Sequence, residues 1–146
     1  MLAFTQFMAV LATALFAGAA VYISLVEHPA RMGCSTEIAA TVWAPSYKRA
    51  TYMQASLAVA GFISGCAAWL LGASIMWLVA SIFILAVVPV TLVVIFPTNN
   101  KLLAAGRDLG SPETRALLVK WGELHAIRSV LSLVATAMFV WLLVVA

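Results

Sequence analysis

The chain has 146 residues, 65% of them hydrophobic and only 9% charged, with a formal net charge of +3. A soluble domain carries about 25% charged residues, so this composition excludes a chain whose main solvent is water. The small positive excess fits anionic lipid headgroups and gives no sign of a nucleic-acid surface.

Residues 1–26 carry no charge. Crossing the hydrocarbon core takes about 20 residues at about 1.5 Å each, so this run makes one span. A cleaved signal peptide would have a basic n-region and a shorter apolar core; no Lys or Arg precedes Arg31, and the run is read as a retained span. Thr13, Ala17, Ala20 and Ser24 recur at helical spacing and lead to His28. Such a small-residue face lets helices approach closely in lipid, and it offers a surface for a second copy of the chain. Pro29 is expected to stop or bend the helix.

The segment after it, "CSTEIAATVW", has Ser35 or Thr36 as a cap and Glu37 in the first turn. These features predict a short interfacial helix between spans one and two. Pro45 then marks the start of span two. Tyr47 and Gln54 are seven residues apart and share a face. Residues 51–100 form a second uncharged run, which would be about 75 Å long as one helix. Gly72 to Ser74 offer a reversal that turns it into a helical hairpin. Span three should break at Pro97, with Asn99 or Asn100 capping a following turn.

Ser111, Pro112 and Glu113 form a helix start. Nothing then interrupts a helix to the C-terminus, about 50 Å long. On it Trp121, His125, Arg128, Ser129 and Ser132 fall on one face, while Glu123 points away, within reach of Lys120. The expected fold is therefore all-α: a polytopic, single-domain bundle of four transmembrane helices over residues 1–146. Cys34 and Cys66 belong to different depths and lack CxxC spacing, so neither a disulfide nor a metal pair is expected.

Both histidines stand where an apolar run meets charge. Glu27 and His28, Tyr47 and Gln54, Asn99 and Asn100, and Trp121, His125 and Arg128 all come to one membrane level. Ionisable groups at that depth need partners and are candidates for function. The plainer alternative is that Glu27, Arg128 and the histidines tie helix ends together or anchor them among headgroups.

The segments "EHP", "WAPSYKRATYMQ", "FPTNNKL" and "KWGELHAIRS", in this order, resemble the bacterial branch of the anthrone oxygenase-like membrane family. The resemblance runs along essentially the whole chain and maps onto His28, Trp43, Tyr47, Asn99 or Asn100, Trp121, His125 and Arg128. It implies a small four-span protein that oxidises aromatic anthrones to anthraquinones with molecular oxygen, without a classical cofactor. Such a reaction asks for a base near neutrality, a donor for the developing oxyanion and an apolar cavity. His28 or His125 fits the base; Arg128, Asn99 or Asn100 fits the oxyanion; Trp43, Tyr47 and Trp121 fit a flat substrate, with Gln54 beside it. The substrate would be a hydrophobic small molecule that arrives from the lipid. A second reading makes His28, His125 and Glu27 ligands of copper, iron or zinc, or the histidines axial ligands of haem. A third is a small, non-enzymatic membrane subunit. No Walker, Rossmann, HExxH or GxSxG motif is present.

All eight basic residues, Arg31, Lys48, Arg49, Lys101, Arg107, Arg115, Lys120 and Arg128, fall between spans one and two or between three and four. Basic loops stay cytoplasmic. In the inner membrane both termini should then face outward and Asn100 the cytoplasm. Alkaline phosphatase fused after Ala146 is expected to be active and a fluorescent reporter there dark; the reverse would mean an odd number of crossings.

Overall fold

In the computed structural model residues 1–145 are described, and Ala146, expected outside the membrane, lies outside the described residues. Four helices, α1 (Leu2–Met32), α2 (Thr36–Leu70), α3 (Met76–Leu102) and α4 (Pro112–Val144), are each long and apolar enough to cross a membrane. No strand occurs among the described residues. α1 packs between α2 and α4, and α3 packs between the same two neighbours, so the bundle runs up and down around a square. The two sides joined by loops at Gly33–Ser35 and at residues 103–111 hold all eight basic residues near one end.

The helix starts follow the capping residues. Ser111 Oγ accepts from the Thr114 amide at 3.2 Å, and Ser35 Oγ from that of Ile38 at 3.5 Å. The α2–α3 reversal is a Schellman turn: the Ala73 amide donates to the Ala68 carbonyl and that of Gly72 to Trp69, both at 3.0 Å. Gly72 has φ +101°, the left-handed region that glycine reaches without strain.

Three proline expectations are corrected. No separate interfacial helix exists, because α2 is continuous from Thr36 through Pro45. Thr41 and Pro45 both lie on an exposed face, so the carbonyl that proline leaves without a donor looks outward. Pro29 and Pro97 do not end their helices either. α1 is α-helical over Leu2–Tyr22, π-helical over Ile23–Glu27 and α-helical again over His28–Met32. α3 repeats the device, with Val90–Ile95 π-helical and Phe96–Leu102 α-helical. Each π stretch contains the residue four before its proline, Leu25 or Val93, whose carbonyl would otherwise clash with the ring. The wider turn absorbs that clash without breaking the rod. Asn99 and Asn100 consequently lie inside a helix and cap nothing.

Away from the charged end the core is apolar, with Phe16, Trp77, Ile84 and Phe139 buried and Trp77 tilted on Phe139 at 5.3 Å. Small residues set the spacing. Thr13, Ala17 and Ala20 are buried inside the bundle. A Cβ on Gly61 would stand 2.6 Å from Thr13 Oγ1, which shows how closely α1 and α2 approach. Cys34 and Cys66 are free.

Candidate functional site

One side of α1 forms a wall of the site. Ile23, Ser24, Glu27, His28 and Arg31 share this side at about 100° per residue, and all contribute to the interior. Facing them, α2 supplies Trp43, Ser46, Tyr47 and Gln54, and α4 supplies Trp121, His125 and Arg128. A cavity and a close-packed aromatic cluster result, and Trp121 belongs to both.

The first is a chamber lined by Glu27, Arg31, Ser46, Tyr47, Gln54, Trp121, His125 and Arg128. Ser24 Oγ lies 3.0 Å from His125 Nδ1 and 2.9 Å from Ser129 Oγ, joining α1 to α4. Arg128 Nη2 donates to Gln54 Oε1 at 2.6 Å, and its guanidinium sits 5.5 Å over the Phe16 ring. Arg31 pairs with Glu27, and Ser46 Oγ donates to the same Glu27 oxygen at 2.5 Å. The Glu27–Arg128 pair considered from the sequence is therefore replaced by two separate pairs. The cavity is about 10 Å³, room for a single water.

The cluster gathers around Trp121. His28 tilts against that indole at 5.2 Å, while His125 stacks on it at 4.9 Å. Trp43 meets Trp121 edge-on at 5.7 Å and stacks flat on Tyr47 at 5.1 Å, 2° from parallel. Asn99 is 1% exposed and shares a helix face with buried Ile95 and Leu102, which pack into the Trp43–Trp121 cluster. No protein group bonds to His28 Nδ1, Trp43 Nε1, Trp121 Nε1 or either polar atom of the Asn99 amide. Buried polar atoms without partners are uncommon and costly, about 1–3 kcal/mol each. The other buried polar atoms without a partner among the described residues belong to Thr13, Arg31, Gln54 and Arg128.

His28, Trp43, Tyr47, Gln54, Trp121, His125, Arg128 and Asn99 thus come together at one end of the bundle, as eight residues from four helices. Asn100 does not, for its side chain is exposed on the opposite side of its turn. Glu27 lines the chamber, yet its carboxylate is committed to Arg31 and Ser46. Of the His28, His125 and Glu27 set, Glu27 is bonded to Arg31 and Ser46, and His125 Nδ1 lies against Ser24. Among the described residues no three His, Cys, Asp or Glu side chains gather as a metal site. The Trp121 ring lies against both histidines. Lys120 and Glu123 form no ion pair among the described residues.

Ser24, Arg31, Ser46 and Gly122 were not singled out in the sequence. Glu27 and Arg31 stand at i, i+4, a spacing that does signal a pair; Ser24 was visible only as a small residue in the stripe. Gly122 carried no signal. A Cβ there would lie 2.5 Å from His28 Nε2 and 2.6 Å from its Cδ2, so glycine is what allows the imidazole to seat on α4. Gly122→Ala is expected to cost about 1–3 kcal/mol by overpacking and close to nothing in a His28→Ala background. Thermal unfolding of the two single variants and the double variant checks this, and additive losses would contradict it.

Comparison with known proteins identifies the family. The anthrone oxygenase family model matches residues 43–138, a stretch that takes in Trp43, Tyr47, Gln54, Asn99, Trp121, His125 and Arg128 and stops short of α1. The chain is 29% identical to the anthrone oxygenase tpcL of Aspergillus fumigatus over 146 residues, covering 92% of this chain and 89% of the relative. No solved structure matches. By this match and by its four membrane-spanning helices, the chain belongs to the anthrone oxygenase family.

Proposed function

We propose that the protein is a cofactor-independent oxygenase of flat, hydrophobic aromatics of the anthrone class, with His125 as the base and its charged end toward the cytoplasm. The observation that carries this reading is the Ser24 contact. Ser24 Oγ lies within hydrogen-bond distance of both His125 Nδ1 and Ser129 Oγ, and the base role takes the tautomer in which Nδ1 donates to Ser24 and Ser24 donates on to Ser129. The Nε2 lone pair is then the free one, and His125 lines the chamber. Membership of an oxygenase family supports the same assignment at a coarser level.

An anthrone carries a doubly benzylic CH2 conjugated with a ketone. His125 Nε2 takes one of its protons, and the negative charge spreads onto the ketone oxygen. Arg128, fixed by Gln54 and Phe16, is placed to hold that oxyanion, where a preorganised donor acts only as charge develops. Trp121 and Tyr47 supply flat faces. The carbanion passes one electron to O2 and the radical pair recombines, forming a carbon–oxygen bond. Protonation gives a hydroperoxide. Loss of water, through removal of the remaining C–H proton and cleavage of the O–O bond, leaves a carbonyl. The balance is CH2 plus O2 to C=O plus H2O, with no other reductant required. A cavity of about 10 Å³ is closed to three fused rings, so Tyr47 and Trp121 must part as the substrate binds. His28, against Trp121, and Asn99 are assigned to the polar edge of the substrate.

Purified variants with matching melting curves test the assignment by oxygen uptake with an anthrone. His125→Ala should lose about a hundredfold or more of the rate, the scale of general-base catalysis. Arg128→Ala should lose around a hundredfold as well. Glu123→Ala, outside the chamber, should leave it unchanged. Equal rates in all three would favour the helix-tie reading.

A further inference from the structure

Two openings flank the chamber, and they differ in size and in the helices that form them. Between α1 and α2 runs a groove of about 510 Å³, lined by Ala19, Tyr22, Val42, Pro45 and Met53. It shares Ile23, Glu27, Ser46 and Ala50 with the chamber wall. Between α2 and α3 lies a cavity of about 130 Å³, lined by Phe16, Ala55, Val87, Val88 and Leu92. It meets the chamber at Thr51, Gln54 and Arg128. Ala55 and Leu92 are exposed at its mouth, on the surface that faces lipid. The one hydroxyl in its α3 wall, Thr91 Oγ1, is spent on the Val87 carbonyl at 2.6 Å.

We propose that the two reactants reach the chamber by separate openings in the lipid-facing wall: the flat aromatic through the α1–α2 groove, and dioxygen through the α2–α3 cavity. The inference rests on the oxygenase reading and adds the routes. Size separates the guests, because about 510 Å³ lies in the range of small-molecule pockets, whereas about 130 Å³ of apolar space is smaller than a three-ring aromatic with its contacts. The apolar part of this cavity, formed by Phe16, Ala58, Val87, Val88 and Leu92, is the kind of surface that takes up apolar gases. Dioxygen dissolves better in hydrocarbon than in water, so a mouth at Ala55 and Leu92 draws on the richer phase. Chemistry points the same way. Arg128 ends this cavity, so oxygen arrives beside the cation that stabilises the superoxide formed in the first electron transfer. The groove instead has Glu27, Ser46 and Arg49 along its rim, polar partners for the phenolic edge of an otherwise apolar ring system.

Plugging each opening with one side chain separates the routes. Ala55→Phe should raise the KM for oxygen severalfold and leave the KM for the anthrone within about twofold. Ala19→Phe, in the groove, should do the reverse. Both positions are partly exposed, and Ala55→Leu serves as the milder plug should Ala55→Phe melt early. Parallel shifts in both constants, or none in either, would overturn the proposal. Xenon-pressurised crystals give a readout free of turnover. Xenon should occupy the cavity beside Phe16, Val87 and Leu92 in the parent and be lost in Ala55→Phe, and its absence from the parent would also overturn the proposal. A parent that consumes no oxygen with any anthrone would sink the oxygenase reading itself, while the xenon result would still decide the gas cavity.

Discussion

Close approach of α1 to its two neighbours is the constraint on which the rest of the site depends. Lipid supplies no hydrophobic force between helices, so contact and hydrogen bonding must hold them. Thr13, Ala17 and Ala20 bring α1 down onto the bundle, and one turn further Ser24 becomes near enough to bond both His125 and Ser129. His28 then seats on the bare backbone of Gly122. A bulkier residue anywhere along this seam would lift α1 and part the imidazoles from Trp121. The same small-residue face that stabilises the bundle therefore sets the geometry of the chemistry.

The π-helical stretches complement that seam. Residues 23, 24, 27, 28 and 31 fall within an arc of about 140° at the period of a regular helix, and the π stretch keeps them turned inward while it passes Pro29. A hydroxyl, a carboxylate, an imidazole and a guanidinium all reach inward from little more than two turns. Arg31 pairs with Glu27 and Ser46 donates to it, and among the described residues Arg128 pairs with no carboxylate and bonds the neutral Gln54 amide. In the proposed reaction, a guanidinium with a neutral partner retains its positive field for the developing oxyanion.

Span number, the Gly72 reversal, the Ser35 and Ser111 caps and the grouping of Trp121, His125 and Arg128 could all be read from residue order, because each rests on local rules of length, capping and helical period. The oxygenase family could be read from the order of short segments at helix ends. The prolines misled. Pro29, Pro45 and Pro97 signal breaks by local rules, yet exposure of the Thr41 carbonyl and the two π turns accommodate them within long rods. Asn99 and Asn100 were equivalent as letters, and only the register of α3 puts the first inside and the second out. Ser46 and Gly122 were invisible for a related reason: their roles depend on which side chain of another helix lies opposite, and no periodicity within one helix encodes that.

The central claim is that this polar end of the bundle carries out a reaction with oxygen. Protein in lipid vesicles, supplied with an anthrone under 18O2, should form quinone faster than protein-free vesicles, with one 18O in the new carbonyl of each molecule and none taken from labelled water. Quinone formed no faster than in bare vesicles, or a new carbonyl oxygen drawn from water, would contradict the account.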